Sequence, residues 1–406
     1  MENLGRGQIP LDSIEAVGPS GLLTTPKTGP LSKAELEEMK EEIKHEETKE
    51  TMKNTKFDKA KGAVIGALCG DAIGAFLEFY GSKITDKVAK QALSMPGKGP
   101  HNVGKGQITD DGELTMCLLH ALAKGEGKLN NKEIARFYAK WIKSKPFDIG
   151  TTCRRSLFKA DIKNPNPTRI KEEAAKSDRS QSNGSLMRAT PLAVFCHRMK
   201  VPNTEDEEEA DWSEHRDLVF EAAKQDATFT HLNENVLQIE GLYVYMLTLI
   251  INEVPLKQVQ EIITTEIEES KNEEFQEWLK ESQEDKLGSL KKQMGWMKHA
   301  FICCLRYLRL ATTATTLDST FYEASMKEIL KGSGDTDTNA CIAGGLLGAI
   351  VGFHNLPELP RKKVLAWEYK GGKGIKREKF LTPKHYAESL IQKLYDCAPE
   401  DLEIVD

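Results

Sequence analysis

The chain has 406 residues, and its 62 acidic and 56 basic residues give it a net charge of −6. Because basic residues are not in excess and alternate with acidic ones, the composition excludes the charge signature of a nucleic-acid-binding protein. A hydrophobic content of 39% is enough for a sizeable core, so the length fits one large helical domain with extensions or a few average domains.

Cysteine usage and hydropathy bear on where the protein works. The eight cysteines include no Cys-x-x-Cys pair, which disfavours a structural zinc site and favours reduced core cysteines. The first residues lack a basic-then-apolar signal. Apolar segments 62–79 and 340–353 are interpreted as buried helices, since Asp71 interrupts one and the other is too short to span a bilayer. We expect a cytoplasmic protein without membrane contact, with the nucleus as an open alternative.

The N-terminal residues 1–55 are predicted to form an extension outside the core. Residues 1–30 are rich in Gly, Pro, Ser and Thr, which is typical of disorder, and a charged, exposed helix could follow from Ser32. This helix would have too few apolar residues to bury a face. At the other end, residues 398–406 are predicted to be a short tail.

Glycines recur at every fourth position in two segments. They are Gly62, Gly66, Gly70 and Gly74 in the first segment, and Gly344, Gly348 and Gly352 in the second. Residues spaced by four lie on one face of a helix, and a glycine face lets another helix backbone approach closely. Since each helical glycine costs ~1 kcal/mol relative to alanine, the two runs predict a tight helical centre in which they could face each other.

Most of the remaining core also has helical spacing. Helices are predicted over residues 114–124, 131–143, 219–233, 236–251, 290–310, 321–330 and 386–395. Strand-like alternation is scarce, so we predict one all-α domain over residues 56–397. The basic segment 361–379 is predicted to be an exposed loop or hairpin whose charge serves solubility.

Three acidic turns lie where a loop meets a small-residue helix: Asp71–Glu78, Thr109–Asp111 and Asp335–Thr338. Each alone could be a helix cap or a buried polar group. Together they indicate more, because buried carboxylates are costly unless their pKa values rise or cations neutralise them. Few basic residues lie nearby in the sequence, and hard divalent ions suit an all-oxygen ligand set.

These turns belong to a longer pattern that resembles the ADP-ribosylglycohydrolase family. The resemblance rests on five short blocks in the family's order: Gly70–Gly74 with Glu78, Thr109–Asp111, Ser182–Arg188, Thr230–His231 and Gly334–Thr338. It implies a single globular domain of orthogonal helices. The family includes the dinitrogenase reductase activating glycohydrolases and the ADP-ribosyl-acceptor hydrolases.

The resemblance also implies which residues form the site. The ligands of two Mg²⁺ or Mn²⁺ ions would be Thr109, Asp110, Asp111, Asp335, Asp337 and Thr338. Glu78 and Asp111 would be the catalytic carboxylates, and Glu78 could instead gate the ligand. The substrate-binding residues would be Asn183, Gly184, Ser185, Leu186, Met187 and Arg188 of the turn that cradles the diphosphate, with His231 near the nucleotide end. Met187 and Arg188 could instead be structural parts of that turn.

The sequence departs from the family pattern at two places. Ser333 stands where a glycine pair commonly precedes Asp335, and Ser185 with Leu186 stands where smaller residues are frequent. The first exchange is small for small and leaves the interpretation intact. The second bears on substrate fit more than on activity.

The resemblance implies a metal-dependent hydrolase that acts on an ADP-ribosylated protein or an ADP-ribose derivative. We expect a monomer, because the sequence contains no coiled-coil heptads or evident exposed apolar patch. Cleavage would develop positive charge on the distal ribose, and two ions could hold its vicinal hydroxyls and activate an attacking water. Arginine-linked ADP-ribose is slightly favoured, because the segment 70–79 is most similar to bacterial arginine-directed members. Serine-linked and O-acetyl-ADP-ribose hydrolysis are alternatives, and so is a non-catalytic relative that binds ADP-ribose.

Two unrelated readings of Asp335–Thr338 fit less well. An Asp-x-Asp-x-Thr phosphatase needs an apolar strand before the first Asp, where this chain has Lys331–Gly334. A calcium-binding EF-hand loop needs a further oxygen ligand and a distal Glu at fixed spacing, which do not follow here.

Overall fold

The computed structural model describes residues 55–203 and 210–406. The predicted extension therefore lies, apart from its last residue, outside the described residues. The first described helix, α1, covers residues 55–74. The helices of the next part of the chain are α2 (Asp86–Leu93), α3 (Asp110–Gly125), α4 (Asn131–Lys143), α5 (Thr151–Leu157), α6 (Pro167–Ala174), α7 (Thr190–Cys196), α8 (Ser213–Ala227) and α9 (Glu234–Ile251).

The second half of the chain continues in the same way. Its helices are α10 (Leu256–Glu269), α11 (Glu273–Ser282), α12 (Met297–Ala311), α13 (Ser319–Gly332), α14 (Thr336–Val351), α15 (Glu358–Ala366) and α16 (Pro383–Asp396). Short 3₁₀ turns cover Ala175–Ser177, Leu186–Arg188 and Lys379–Leu381. The predicted all-α fold is confirmed.

The regular β-structure of the described residues is one short parallel pair. Strand β1 (Leu129–Asn130) pairs with β2 (Ile404–Val405). Residues 398–406, predicted as a tail, thus include a strand that is held against the start of α4.

Two apolar helices form the centre. Every residue of α14 is buried, and in α9 all residues from Ile239 to Ile251 are buried. A helix that is apolar on all sides is stable in water only when other helices surround it. No helix among the described residues is long and apolar enough to cross a membrane.

The two glycine runs do face each other, as their spacing predicts. A Cβ added to Gly62 would lie 2.2 Å from the carbonyl oxygen of Gly348, and one on Gly66 would lie 2.4 Å from that of Gly344. A Cβ on Gly74 would likewise meet the carbonyl oxygen of Thr336 at 2.3 Å. The helices α1 and α14 therefore pack backbone against backbone in antiparallel order, which brings the end of α1 to the start of α14.

Two segments differ from their predictions. The helix expected over residues 290–310 begins only at Met297, because residues 290–296 form a loop that donates from Leu290 N to Gly332 O at 2.9 Å. The segment 361–379 is not simply an exposed loop, since α15 covers its first part and the side chain of Arg377 near its end is mostly covered. The Arg377 guanidinium donates to both carboxylate oxygens of Glu113, at 2.5 and 2.8 Å, so its charge has a structural partner.

Candidate active site

Six carboxylates from three chain segments converge where α1 ends and α3 and α14 begin. We call them the acid cluster: Asp71, Glu78, Asp110, Asp111, Asp335 and Asp337. Five of them are buried. The antiparallel contact between α1 and α14 places the first two residues close to the last two, although more than two hundred residues separate them in sequence.

Asp71 orients the first turn of α3. The Thr109 hydroxyl donates to Asp71 Oδ1 at 2.7 Å, and the backbone N–H groups of Thr109 and Gly112 donate to Oδ2, each at 2.9 Å. Asp71 thus caps a helix of which it is not part, a role that the sequence leaves open between cap and chemistry. Burial raises the pKa of Asp71 to about 7, although these hydrogen bonds lower it.

Asp111 and Asp337 meet beside Asp71. One carboxylate oxygen from each of the three lies within 4.8 Å of the others. Asp111 Oδ1 is buried and has no hydrogen-bond partner among the described residues. Burial, together with the neighbouring negative charges, raises the pKa of Asp111 and of Asp337 well above the usual range of an aspartate.

A second group of carboxylates shares Asp337. It consists of Glu78, Asp335 and Asp337, again with oxygens within 4.8 Å of one another. The predicted facing of the loops 109–111 and 335–338 is therefore present, with Glu78 at their edge.

The remaining predicted ligands lie in the same helix turns. Thr109 gives its hydroxyl proton to Asp71, which leaves the oxygen lone pairs available to a cation. The Asp110 side chain hydrogen-bonds Asp148, and burial raises the pKa of Asp110 well above its usual range. Thr338 is buried in the first turn of α14, where its backbone N–H donates to Asp337 Oδ1 at 3.0 Å.

The donor set of the acid cluster fits hard divalent cations. No lysine or arginine of the described residues forms an ion pair with any of its members, and Lys331, the nearby base in the sequence, pairs with exposed Asp86 instead. Buried carboxylates without a cationic partner repel one another and are costly. An all-oxygen set of this kind is what Mg²⁺ and Mn²⁺ prefer.

Two residues that sequence reasoning missed complete the edge of the cluster. His101 Nε2 lies 2.7 Å from Glu78 Oε2 and 3.2 Å from Asp148 Oδ2. Burial raises the pKa of Glu78, while the hydrogen bond with His101 lowers it. The hydrogen bond with Glu78 raises the pKa of His101. A single histidine within the glycine-rich segment 97–106 is the one signal that could have identified it.

The turn after Ser182 is tied to the cluster through one side chain. Asn183 Nδ2 donates to Asp335 Oδ2 at 2.8 Å, and Asn183 N donates to Gly295 O at 2.9 Å. The backbone N–H groups of Gly184 and Ser185 have no acceptor among the described residues. Both residues are buried, and N–H groups without an acceptor are what the glycine-turn interpretation requires.

Arg188 and His231 lie behind this turn and are completely buried. Arg188 donates from Nε to Asp226 Oδ2 at 2.9 Å and from Nη1 to the carbonyl oxygen of Gly184 at 3.0 Å. His231 Nε2 lies 2.7 Å from the Ser182 hydroxyl oxygen, and burial lowers the pKa of His231 to about 3. Their side chains support the turn from inside, and a contact of either side chain with the substrate stays a prediction.

Buried polar residues around Arg188 form what we call the support network: Tyr138, Arg188, Asp226, Thr230, His231 and Glu240. The side chains of Ser185, Leu186 and Met187 are also buried. The substrate contacts predicted for these residues stay predictions, and the Asn183 side chain is the one that reaches the acid cluster. Ser182, which was not among them, is partly exposed.

Two grooves flank the acid cluster. The Trp296 groove, of about 570 Å³, starts beside Asn183 and is lined by Arg179, Gln181, Ser182, Glu274, Gln293, Gly295 and Trp296. The Tyr80 groove, of about 230 Å³, starts beside Glu78 and Asp335 and is lined by Phe79, Tyr80, Gly81, Lys291, Met294 and Gly334. The loop 290–296 contributes residues to both.

Comparison with known proteins identifies the relatives of this chain. The family model described as ADP-ribosylglycohydrolase matches residues 52–396. A protein of Acanthamoeba polyphaga mimivirus, provisionally named an ADP-ribosyl glycohydrolase, is 27% identical over 317 residues, which are 74% of this chain and 89% of the relative.

Two bacterial relatives match over shorter stretches. The ADP-ribosyl-[dinitrogen reductase] glycohydrolase of Rhodospirillum rubrum is 35% identical over 140 residues, which are 34% of this chain and 44% of the relative. The ADP-ribosylarginine hydrolase Tri1 of Pseudomonas putida (strain GB-1) is 28% identical over 146 residues, 34% of this chain and 36% of the relative. Both matches therefore cover less than half of the relative's length.

The fold has a solved counterpart. A structure described as an ADP-ribosylglycohydrolase-related protein complex superposes with a TM-score of 0.58 at 21% identity, over 85% of this chain and 99% of that chain. At this identity the likeness establishes the fold alone.

Proposed function

This chain belongs to the ADP-ribosylglycohydrolase family and is a glycohydrolase, and from that premise we propose that it removes ADP-ribose from modified protein side chains in a reaction that requires divalent cations. The bond cleaved would join the distal ribose to the acceptor. The observation that carries the proposal is the acid cluster, in which Asp111 and Asp337 lie together in the core without a basic partner.

Two Mg²⁺ or Mn²⁺ ions would be held by Thr109, Asp110, Asp111, Asp335, Asp337 and Thr338. When bound, they supply Lewis-acid chemistry that grips vicinal ribose hydroxyls and makes water a better nucleophile. Asp71 is not assigned as a ligand, because its two oxygens already accept hydrogen bonds from the α3 turn. Asp71 instead fixes the first turn of α3 and thereby orients Asp111, which belongs to that turn and is a proposed cation ligand.

Glu78 is the residue best placed to move a proton. It lies beside Asp335 and Asp337, and burial raises its pKa above that of an ordinary glutamate. Asp111 is the second candidate. Glycoside cleavage builds positive charge on the sugar, and the negative charge of the cluster favours that charge.

The turn 183–188 is assigned to the diphosphate. The backbone N–H groups of Gly184 and Ser185 suit phosphate oxygens, and Asn183 links this turn to Asp335 at 2.8 Å. The Trp296 groove, which begins at Ser182, is then the path of the nucleoside. Arg188 and His231 serve as positioning residues.

Arginine-linked ADP-ribose is the favoured substrate. Among the relatives, the Tri1 proteins of Pseudomonas putida and Serratia proteamaculans are named ADP-ribosylarginine hydrolases. Serine-linked and O-acetyl-ADP-ribose are the alternatives, and a non-catalytic ADP-ribose-binding protein is the rival of a different class. Cytoplasmic location and a monomeric state stay predictions.

A release assay with three substrates tests the proposal. Purified protein with Mg²⁺ or Mn²⁺ is incubated with arginine-linked, serine-linked and O-acetylated ADP-ribose side by side, and free ADP-ribose is measured. We expect the fastest release from the arginine-linked substrate and loss of release with Asp335→Ala. Release by Asp335→Ala at the wild-type rate would contradict the proposed site, and binding of ADP-ribose without any release would favour the non-catalytic rival.

A further inference from the structure

We propose that the Tyr80 groove docks the polypeptide of the modified protein, on the acceptor side of the scissile bond. The occupant is an extended segment with an apolar side chain next to the ADP-ribosylated residue. This inference rests on the proposed function, because it uses the direction in which the substrate would lie.

The direction follows from the order of the two grooves. The Trp296 groove begins at the turn assigned to the diphosphate, where Asn183 contacts Asp335. The Tyr80 groove shares no lining residue with the Trp296 groove and includes Phe79 and Gly334, next in sequence to Glu78 and Asp335. With the ADP moiety in the first groove and the distal ribose at the acid cluster, the acceptor chain has to leave toward the second.

The lining of the Tyr80 groove is that of a protein-binding surface. Phe79, Tyr80 and Met294 are 58%, 40% and 37% exposed, and they are three of the nine large apolar side chains exposed among the described residues. Aromatic residues and methionine are enriched at protein interfaces, and apolar groups gathered in one exposed patch are a common sign of an interaction site. Lys291 at the same groove favours a partner segment without a net positive charge.

The backbone at Phe79 also points to a functional position. Phe79 has a φ of 53°, in the left-handed region that bulky residues rarely adopt. This conformation costs free energy, and here it accompanies a phenyl ring more than half exposed to solvent. The exposed ring makes few stabilising contacts in the free protein, and contacts with a bound partner would offset the cost of the backbone conformation. The ring centroid lies 6.5 Å from that of His101, which connects the groove to the edge of the acid cluster.

The test compares two substrates that differ only in the presence of a polypeptide. One is a protein ADP-ribosylated through the linkage that the wild-type enzyme cleaves, and the other is the single ADP-ribosylated amino acid. For Tyr80→Ser/Met294→Ser, we expect kcat/KM on the protein to fall by about tenfold, as loss of about 1.4 kcal/mol of contact would produce. On the amino acid, kcat/KM should stay within about twofold of wild type.

Two further variants control the experiment. Phe79→Asn removes the ring while asparagine tolerates the left-handed backbone, so it should act like the double variant without a folding penalty. Leu359→Ser changes a side chain of α15 that is 51% exposed and lines neither groove, and it should leave both substrates unaffected.

Three results would overturn the docking inference. The first is an equal loss on both substrates, which would assign the groove to the ADP-ribosyl part or to catalysis, and the second is no loss on either. The third is light scattering that shows a dimer for the wild type and a monomer for the double variant, because a second copy of the chain would then cover the groove. A wild-type enzyme that cleaves neither substrate would overturn the proposed function as well, which separates that failure from the other three.

Discussion

The acid cluster and the support network bury similar numbers of charged and polar side chains, yet they treat charge in opposite ways. In the support network, the Arg188 guanidinium pairs with Asp226 at 2.9 Å, and the Tyr138 hydroxyl donates to the other oxygen of Asp226 at 2.5 Å. In the acid cluster, Asp111 and Asp337 face each other without any base. A buried charge with a partner supports the fold, whereas buried carboxylates without a basic partner need a proton or a cation to neutralise them.

The first turn of α3 contains both situations. Asp110 and Asp111 point to the acid cluster, while Glu113, from the same turn, takes two hydrogen bonds from Arg377 and one from the Trp141 indole at 2.8 Å. Thr109 is the N-cap residue of α3, and the cap is supplied by Asp71 from α1. Neighbouring acids in one motif can therefore have unrelated tasks.

The largest effect is expected from Asp337→Asn, since Asp337 belongs to both carboxylate groups of the acid cluster. ADP-ribose release should fall by about 10³-fold, the scale for removing one preorganised charged group. The metal-free variant should nevertheless melt at a higher temperature than metal-free wild type, because one of several like charges is gone. Asp86→Asn, at an exposed site, is the matched control. A variant with both low activity and a lower melting temperature without metal would contradict the charge-repulsion account.

Arg188→Met in the support network is expected to destabilise the protein, in contrast to Asp337→Asn. It leaves Asp226 buried and unpaired, which typically costs about 3–5 kcal/mol of unfolding free energy. Urea denaturation measures this cost. Arg216→Met is the matched control, because Arg216 pairs with Asp217 and Glu266 near the surface, where a pair contributes about 1 kcal/mol or less. Similar losses for the two variants would remove the distinction between a buried support and a surface pair.

Glu240 gives the support network a pH dependence. Burial raises the pKa of Glu240 to about 8, so the folded protein keeps a proton that the unfolded chain releases above its ordinary pKa of about 4.3. This share of the stability is complete below that ordinary pKa and is lost, at about 1.4 kcal/mol per pH unit, as the pH rises to the folded value. Denaturant unfolding of metal-free protein across this range should show a shallower fall for Glu240→Gln. Equal slopes would show that Glu240 carries no such proton.

The smallest effect is expected at His101. We expect His101→Leu to lower kcat for ADP-ribose release by about tenfold, because Glu78 loses a charge-assisted hydrogen bond. His101→Gln, which keeps an N–H donor, should recover part of the loss, and KM should change little in either variant. His120→Leu is the control, since that ring bonds the carbonyl oxygen of Phe380 instead. Equal kcat values for the Leu and Gln variants would exclude a positioning role.

Contacts that arise from residues at a fixed spacing were predictable from the sequence. The glycine runs predicted the contact of α1 with α14, because a four-residue period has one geometric meaning in a helix. That contact in turn brings Glu78 to Asp335 and Asp337, as the three acidic turns suggested. The proximity of these turns could therefore be expected from the sequence alone.

Contacts between irregular segments were not predictable. His101 and Asp148 come from two loops without periodicity, and Arg377 reaches Glu113 across more than two hundred and fifty residues. The segment around Arg377 is basic and glycine-rich, and this composition predicted that Arg377 lies at the surface. The burial of Arg188 and His231 was equally hidden, because a polar residue beside a glycine turn can face a ligand or the core.

Cation binding by metal-free protein tests the central claim most directly. Calorimetric titration with Mn²⁺ should show two ions bound per wild-type chain, and Asp337→Asn should lose both, because the Asp337 carboxylate lies next to two other proposed ligands, Asp111 and Asp335. Chelator should stop ADP-ribose release by the wild type, and added Mn²⁺ should restore it. A wild type that binds no cation and releases ADP-ribose at full rate in chelator would contradict the account.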